Sequence, residues 1–160
     1  MWRVLAKFVR EKKGASFIEF TIALPFLLTM GMGILEFGNA LYGHHVITTG
    51  VHDAARYLAR FSDPPTNYAS ARTLAVTGSV TGTTQRLSWW GTIGVTPVLV
   101  TVANPIDAGS GERTYRGPDP ITVVRVTATA SYPGFGLLSF LGLGSSLTFS
   151  VTHEERVIHE

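Results

Sequence analysis

The 160-residue chain contains no cysteine. Disulfides, thiolate nucleophiles and cysteine-ligated zinc are excluded together. The compartment stays open, because a reducing cytosol and an oxidising periplasm both accept a cysteine-free chain. Charge is scarce as well: 15% of the residues are Asp, Glu, Lys or Arg, against about 25% in ordinary soluble domains. That deficit points to a protein that resides in a membrane or an assembly. A basic domain surface is also lacking, despite a pI near 9.2. Arg3, Lys7, Arg10, Lys12 and Lys13 against Glu11 give residues 1–14 a net charge of +4, which leaves −2 for the remainder of a chain whose total is +2. Nucleic acid is therefore not the expected partner.

Catalytic constellations are missing too. Gly38 to Gly43 has the glycine spacing of a phosphate loop, but His44 and His45 stand where lysine and a hydroxyl residue are needed. Gly109-Ser110-Gly111 lacks the spacing of a nucleophile elbow and reads as a flexible turn. His45 and His52 lie two turns apart on a helix, beyond the adjacent-turn spacing of a helical zinc motif. They read as solvated or capping side chains, and His153 and His159 are equally unspecific. No enzyme activity, cofactor or metal site is expected.

What the chain does have is an apolar run. Residues 15–35 hold 21 positions whose only charge is Glu19. As a helix they would span about 31 Å, close to the roughly 30 Å hydrocarbon core of a bilayer. The basic cluster just before them predicts a cytoplasmic N-terminus and a C-terminal domain carried across the membrane. Pro25 removes an internal hydrogen bond and predicts a kink. Glu19 puts a carboxyl group in apolar surroundings. A charge at the centre of a membrane helix costs about 2.5–3.5 kcal/mol, and less near the interface. It can snorkel to the headgroups or find a cation. Cleavage after Gly14 would supply that cation as the new amine of Ala15, four residues before Glu19. The amine can come from the same helix or from a neighbouring subunit, and an acid in the first turn also suits the helix dipole.

These residues carry a resemblance. Lys12-Lys13-Gly14 followed by Ala15-Ser16-Phe17-Ile18-Glu19-Phe20 resembles a class III prepilin signal. Thr21-Ile22-Ala23-Leu24-Pro25-Phe26-Leu27-Leu28, then Gly33-Ile34-Leu35-Glu36-Phe37-Gly38-Asn39-Ala40-Leu41-Tyr42, resembles the TadE-like pseudopilins, and Ala54-Ala55-Arg56-Tyr57-Leu58-Ala59-Arg60 is similar to the end of the same family helix. Ser131-Tyr132 and the apolar stretch after it are similar to the family's C-terminal pattern. His44-His45 departs from it, where a basic or polar residue is expected.

The resemblance implies a minor pseudopilin of a tight-adherence (Tad, type IVc) pilus, in the bacterial inner membrane and passing into a surface pilus for adhesion or secretion. It also implies cleavage by a prepilin peptidase, and partnership with other minor and major pilins and an inner-membrane assembly platform. A priming or tip complex is its expected station. Three competitors remain. An uncleaved single-pass anchor could carry an extracytoplasmic binding domain. A membrane-anchored enzyme would need site chemistry that is absent. A secretory signal cut near Gly38-Asn39-Ala40 would need a shorter run free of Glu19 and Pro25.

Beyond residue 35 the helical period continues. Ile47, Val51, Ala54, Ala55 and Leu58 form one apolar stripe that should pack on the following sheet. Asp63-Pro64-Pro65 then stops the helix, giving a helix over 16–61 about 69 Å long. Gly31, Gly33, Gly38, Gly43 and Gly50 interrupt it, either to admit a neighbouring helix or because membrane helices tolerate glycine. Tyr68–Thr77 reads as a short helix. Trp89-Trp90, taken as strand, would point to opposite faces, leaving one ring either as an exposed docking anchor or in a core or hairpin role. Strands are predicted over 95–103, 121–132 and 147–157, around a polar loop at 104–119. The apolar connection 133–144 reads either as a buried cover on the sheet or as a patch for lipid or a neighbour. The expected plan is α+β: a long N-terminal transmembrane helix packed on a small antiparallel sheet, divided as leader 1–14, membrane helix 15–35, helix extension 36–61 and outer domain 62–160.

Overall fold

The computed structural model describes residues 12–142 and 144–158. Helix α1 spans Lys12–Leu58, 47 residues that include Pro25. A 3-10 turn at Pro64–Asn67 leads into α2 at Tyr68–Thr77, and a second turn at Thr92–Gly94 leads into strand β1 at Val95–Val102. Strand β2 follows at Ile121–Tyr132, then the one-turn helix α3 at Leu137–Phe140 and strand β3 at Leu147–Arg156. The chain divides into two compact units, Met1–Asn39 and Ala40–Glu160.

The described part of the first unit is helix alone. Phe17, Ile18, Phe20, Ile22, Phe26 and Leu27 are all exposed along it. A water-soluble protein rarely displays so much contiguous apolar surface. From Ser16 onward α1 is long and apolar enough to cross a membrane. The Thr21 hydroxyl donates to the Phe17 carbonyl at 2.8 Å and the Thr29 hydroxyl to the Pro25 carbonyl at 2.8 Å. Each hydroxyl is thus satisfied inside the helix, as an apolar medium requires.

The second unit has a conventional core. Ile47, Val51, Ala54, Ala55 and Leu58 are completely buried. They join Val124, Val126 and Ala128 of β2 and Ala71, Ala75 and Val76 of α2 in one cluster around Trp90. The helix stripe therefore packs as its period predicts. The sheet is an antiparallel meander in the order β1-β2-β3. Val95 pairs with Ala128 at one end of β1 and Val102 with Ile121 at the other, while Tyr132 pairs with Leu147 across the β2–β3 hairpin. The even-numbered residues of β2 from Val124 to Tyr132 face the core; on the opposite face Arg125 donates to Glu154 at 2.6 Å across the ladder.

Three expectations need correction. Helix α1 ends at Leu58 rather than near Phe61, with Asp63 and two prolines forming the 3-10 turn beyond it. Trp89 and Trp90 lie in a turn, not a strand: Trp90 is buried in the core, while Trp89 packs edge-on against Tyr132, ring centroids 5.5 Å apart. In the 133–144 connection Leu137 is buried, but Phe135, Phe140 and Leu141 are exposed. A buried cover therefore describes only the first residue of α3.

Candidate functional site

The residues singled out for processing and assembly lie on the first turns of α1. The Gly14–Ala15 bond falls inside the helix, which begins at Lys12 among the described residues. The basic leader 1–11 lies outside the described residues. Glu19 follows Ala15 by four residues, about 6 Å of helical rise, and its side chain is exposed. No hydrogen bond or ion pair engages it among the described residues. Its neighbours Phe17, Ile18, Phe20 and Ile22 present an exposed apolar surface, and Glu36 is the next charged residue along the chain. A carboxylate so placed is solvated cheaply in water and expensively in lipid. The helix assignment runs through Pro25 without a break, although the ring cannot donate to the Thr21 carbonyl one turn back.

The helix glycines separate into two kinds. A Cβ on Gly31 or Gly38 would meet nothing within 4 Å. A Cβ on Gly43 would collide with the Trp89 ring, and one on Gly50 with the Ala75 carbonyl oxygen and the Trp90 ring. Gly43 and Gly50 thus admit aromatic rings of their own unit, not a helix from outside.

The second unit contains two polar arrangements that periodicity could not reveal. His52 of α1 and His153 of β3 stack with ring centroids 3.8 Å apart, and His153 Nε2 lies 3.2 Å from a Glu155 carboxylate oxygen. No group of three or more metal-ligating side chains occurs among the described residues. Asn104 is fully buried. Its amide nitrogen donates to the Tyr115 carbonyl at 2.7 Å, its side-chain oxygen accepts from the Tyr115 N–H at 2.8 Å, and its backbone N–H donates to Asp119 at 2.8 Å. The long β1–β2 loop is therefore built around one asparagine. The only advance signal was its position at the strand exit.

Ser110, between two glycines, is a turn residue. Its backbone N–H and hydroxyl both donate to Asp107 Oδ1, at 2.8 and 2.9 Å. The backbone N–H of Ser110, then its hydroxyl, then the N–H of Gly109 hold the Asp107 carboxyl below its usual range. A cavity of about 410 Å³ lies beside Asp53, Arg56, Tyr57, Arg60, Leu74 and Gly78. Its Asp53 carboxylate stands 3.6 Å from Arg86, so part of its charge is already matched.

Residues 14–56 match the family model of TadE-like proteins. The matched segment runs from the Gly14–Ala15 bond through most of α1, and over it the chain is similar to the TadE-like proteins. No curated protein and no solved structure matches the chain.

Proposed function

We propose that the TadE-like segment makes this chain a minor pilin of a Tad-type (type IVc) pilus, freed from its leader by a prepilin peptidase between Gly14 and Ala15. The single observation that carries this reading is the lone acid Glu19, set in exposed apolar helix four residues beyond that bond. Residues 15–35 occupy the membrane, residues 36–58 extend the helix outward, and the rest of the chain completes a domain outside the inner membrane. Before cleavage, the positive leader holds the N-terminus on the cytoplasmic side. Cleavage exchanges the leader for the amine of Ala15. Within a bundle of pilin helices, Glu19 pairs with that amine on its own helix or on a neighbour. The pair offsets the cost of placing either charge in hydrocarbon.

Other minor and major pilins and the inner-membrane assembly platform are the partners that this role demands. Priming or capping the fibre is its proposed place, in service of adhesion or secretion. Intact mass and N-terminal sequencing of protein drawn from membranes test the processing step. The expected N-terminus is Ala15, and functional material that retains Met1 would favour an uncleaved single-pass anchor bearing a binding domain. Glu19→Ala is expected to reduce incorporation into the fibre while the second unit melts as the parent does. Normal piliation by that variant would refute the pairing role.

A further inference from the structure

The outer unit is polarised along one axis, and its uncharged end is the end at which the chain enters it. Strand β3 runs in the same direction as α1. His44 touches Phe149, ring centroids 5.5 Å apart; His52 stacks on His153; and the Ile158 N–H donates to the Ala59 carbonyl at 2.7 Å. The beginning of β3 therefore lies level with the beginning of the unit at Ala40. Tyr132 pairs with Leu147 there, so the β2–β3 connection carrying α3 closes over that same end. Ile93, in the turn before β1, approaches it from the other edge of the sheet.

This end is apolar on its outside. Phe140 is 79% exposed, Phe135 66% and Ile93 98%. Leu41 and Tyr42, in the first turn of the unit, are exposed as well. No Asp, Glu, Lys or Arg occurs in residues 40–52, 87–106 or 126–152. Arg72 reaches the neighbourhood, but its Nε is committed to the Val95 carbonyl at 3.0 Å. The opposite end carries Asp107, Glu112, Arg113, Arg116 and Asp119 in the β1–β2 loop, where Val102 pairs with Ile121.

We infer that the α3 hairpin is a membrane-contacting element: Phe135, Phe140 and Leu141 insert at the headgroup–acyl boundary of the leaflet from which the chain emerges. The inference rests on the reading of residues 15–35 as the membrane segment. Connectivity alone then fixes the occupant. The chain reaches Ala40 a few residues after leaving hydrocarbon, so the Ala40 end is the end tethered closest to the bilayer. Exposed aromatic and aliphatic side chains with an aromatic hydroxyl nearby are the composition that suits this interface. With no charged side chain in the patch, the contact is hydrophobic and needs no anionic lipid.

The absence of native cysteine makes the test direct. Single cysteines at Phe140, Ile22 and Ser110, with Phe135→Cys as a second reporter of the patch, carry an environment-sensitive fluorophore. Each full-length protein is reconstituted in phosphatidylcholine vesicles containing lipid spin-labelled on the acyl chain near the headgroup. Labels at residues 140 and 135 are expected to shift to the blue and to be quenched several-fold more than the label at 110, without added anionic lipid. Quenching at 22 combined with values at 140 and 135 equal to that at 110 would overturn the inference and leave the anchor standing. Absence of quenching at 22 would overturn the anchor itself, and the inference with it. A blue shift at 140 that appears only after other pilus subunits are added would make the patch a subunit contact and overturn the lipid assignment.

Discussion

The two halves of α1 are built from similar side chains and meet opposite fates. Before Asn39, Phe, Leu, Ile and Met point outward all round the helix. After Ala40, Ile47, Val51, Ala54, Ala55 and Leu58 turn one stripe inward and are fully buried. The difference lies in polar spacing. Residues 16–35 hold one charge and a scatter of threonines whose hydroxyls fold back on their own helix, leaving no face for water. Residues 44–60 interleave His44, His45, His52, Asp53, Arg56 and Arg60 between apolar positions, and that alternation selects a wet face and a dry one. A helix apolar all round requires an apolar medium; a helix apolar along one stripe requires only a sheet.

Substitutions of equal chemistry in the two halves sharpen this contrast. Leu58→Ala is expected to destabilise the second unit by about 2–5 kcal/mol, the usual cost of a buried leucine cavity. Leu27→Ala should leave its urea midpoint in detergent unchanged. Gly50→Ala is expected to cost about 1–3 kcal/mol, because the new methyl group meets the Ala75 carbonyl oxygen and Trp90. Gly31→Ala, which meets nothing, should instead gain up to about 1 kcal/mol of helix stability. Equal melting effects from the two glycine variants would erase the distinction. Asn104→Ala is expected to cost about 1–3 kcal/mol by stranding buried backbone partners, with hydrogen exchange rising first at Tyr115.

The smallest effect is electrostatic and lies in the β1–β2 loop. The Asp107 carboxyl is held below its ordinary value of 3.8 by the donors of Ser110 and Gly109. Since the folded value is the lower one, its stabilisation is present above the ordinary carboxylate range and is lost as pH falls through the folded value. Amide exchange at Ser110 should therefore quicken in acid while the core amides of β2 hold. Asp107→Asn should remove that pH dependence.

Local pattern was enough for much of this architecture. The stripe from Ile47 to Leu58, the short helix Tyr68–Thr77, the β2 strand Ile121–Tyr132 and the apolar run with its single acid can all be read from spacing, because each is decided by neighbours within a few residues. What spacing missed depends on distant partners. The turn at Trp89-Trp90 makes sense only beside Gly43 and Gly50, some forty residues away. His52 looked like a solvated side chain until β3 brought His153 to it. Asn104 carries no motif, and its role appears only once the loop has closed on Tyr115 and Asp119. The exposed rings of Phe135 and Phe140 ran against the ordinary preference for burial, a preference that presumes water on every side.

The codirectional zipper of α1 and β3 has a mechanical consequence. The first and last long elements of the second unit lie side by side, joined at His44–Phe149, at His52–His153 and at Ala59–Ile158. Tension entering through the helix draws it lengthwise along the strand, so these contacts are strained together in shear rather than peeled apart in succession. A subunit hung from its helix would resist a pull along that axis far better than one across it.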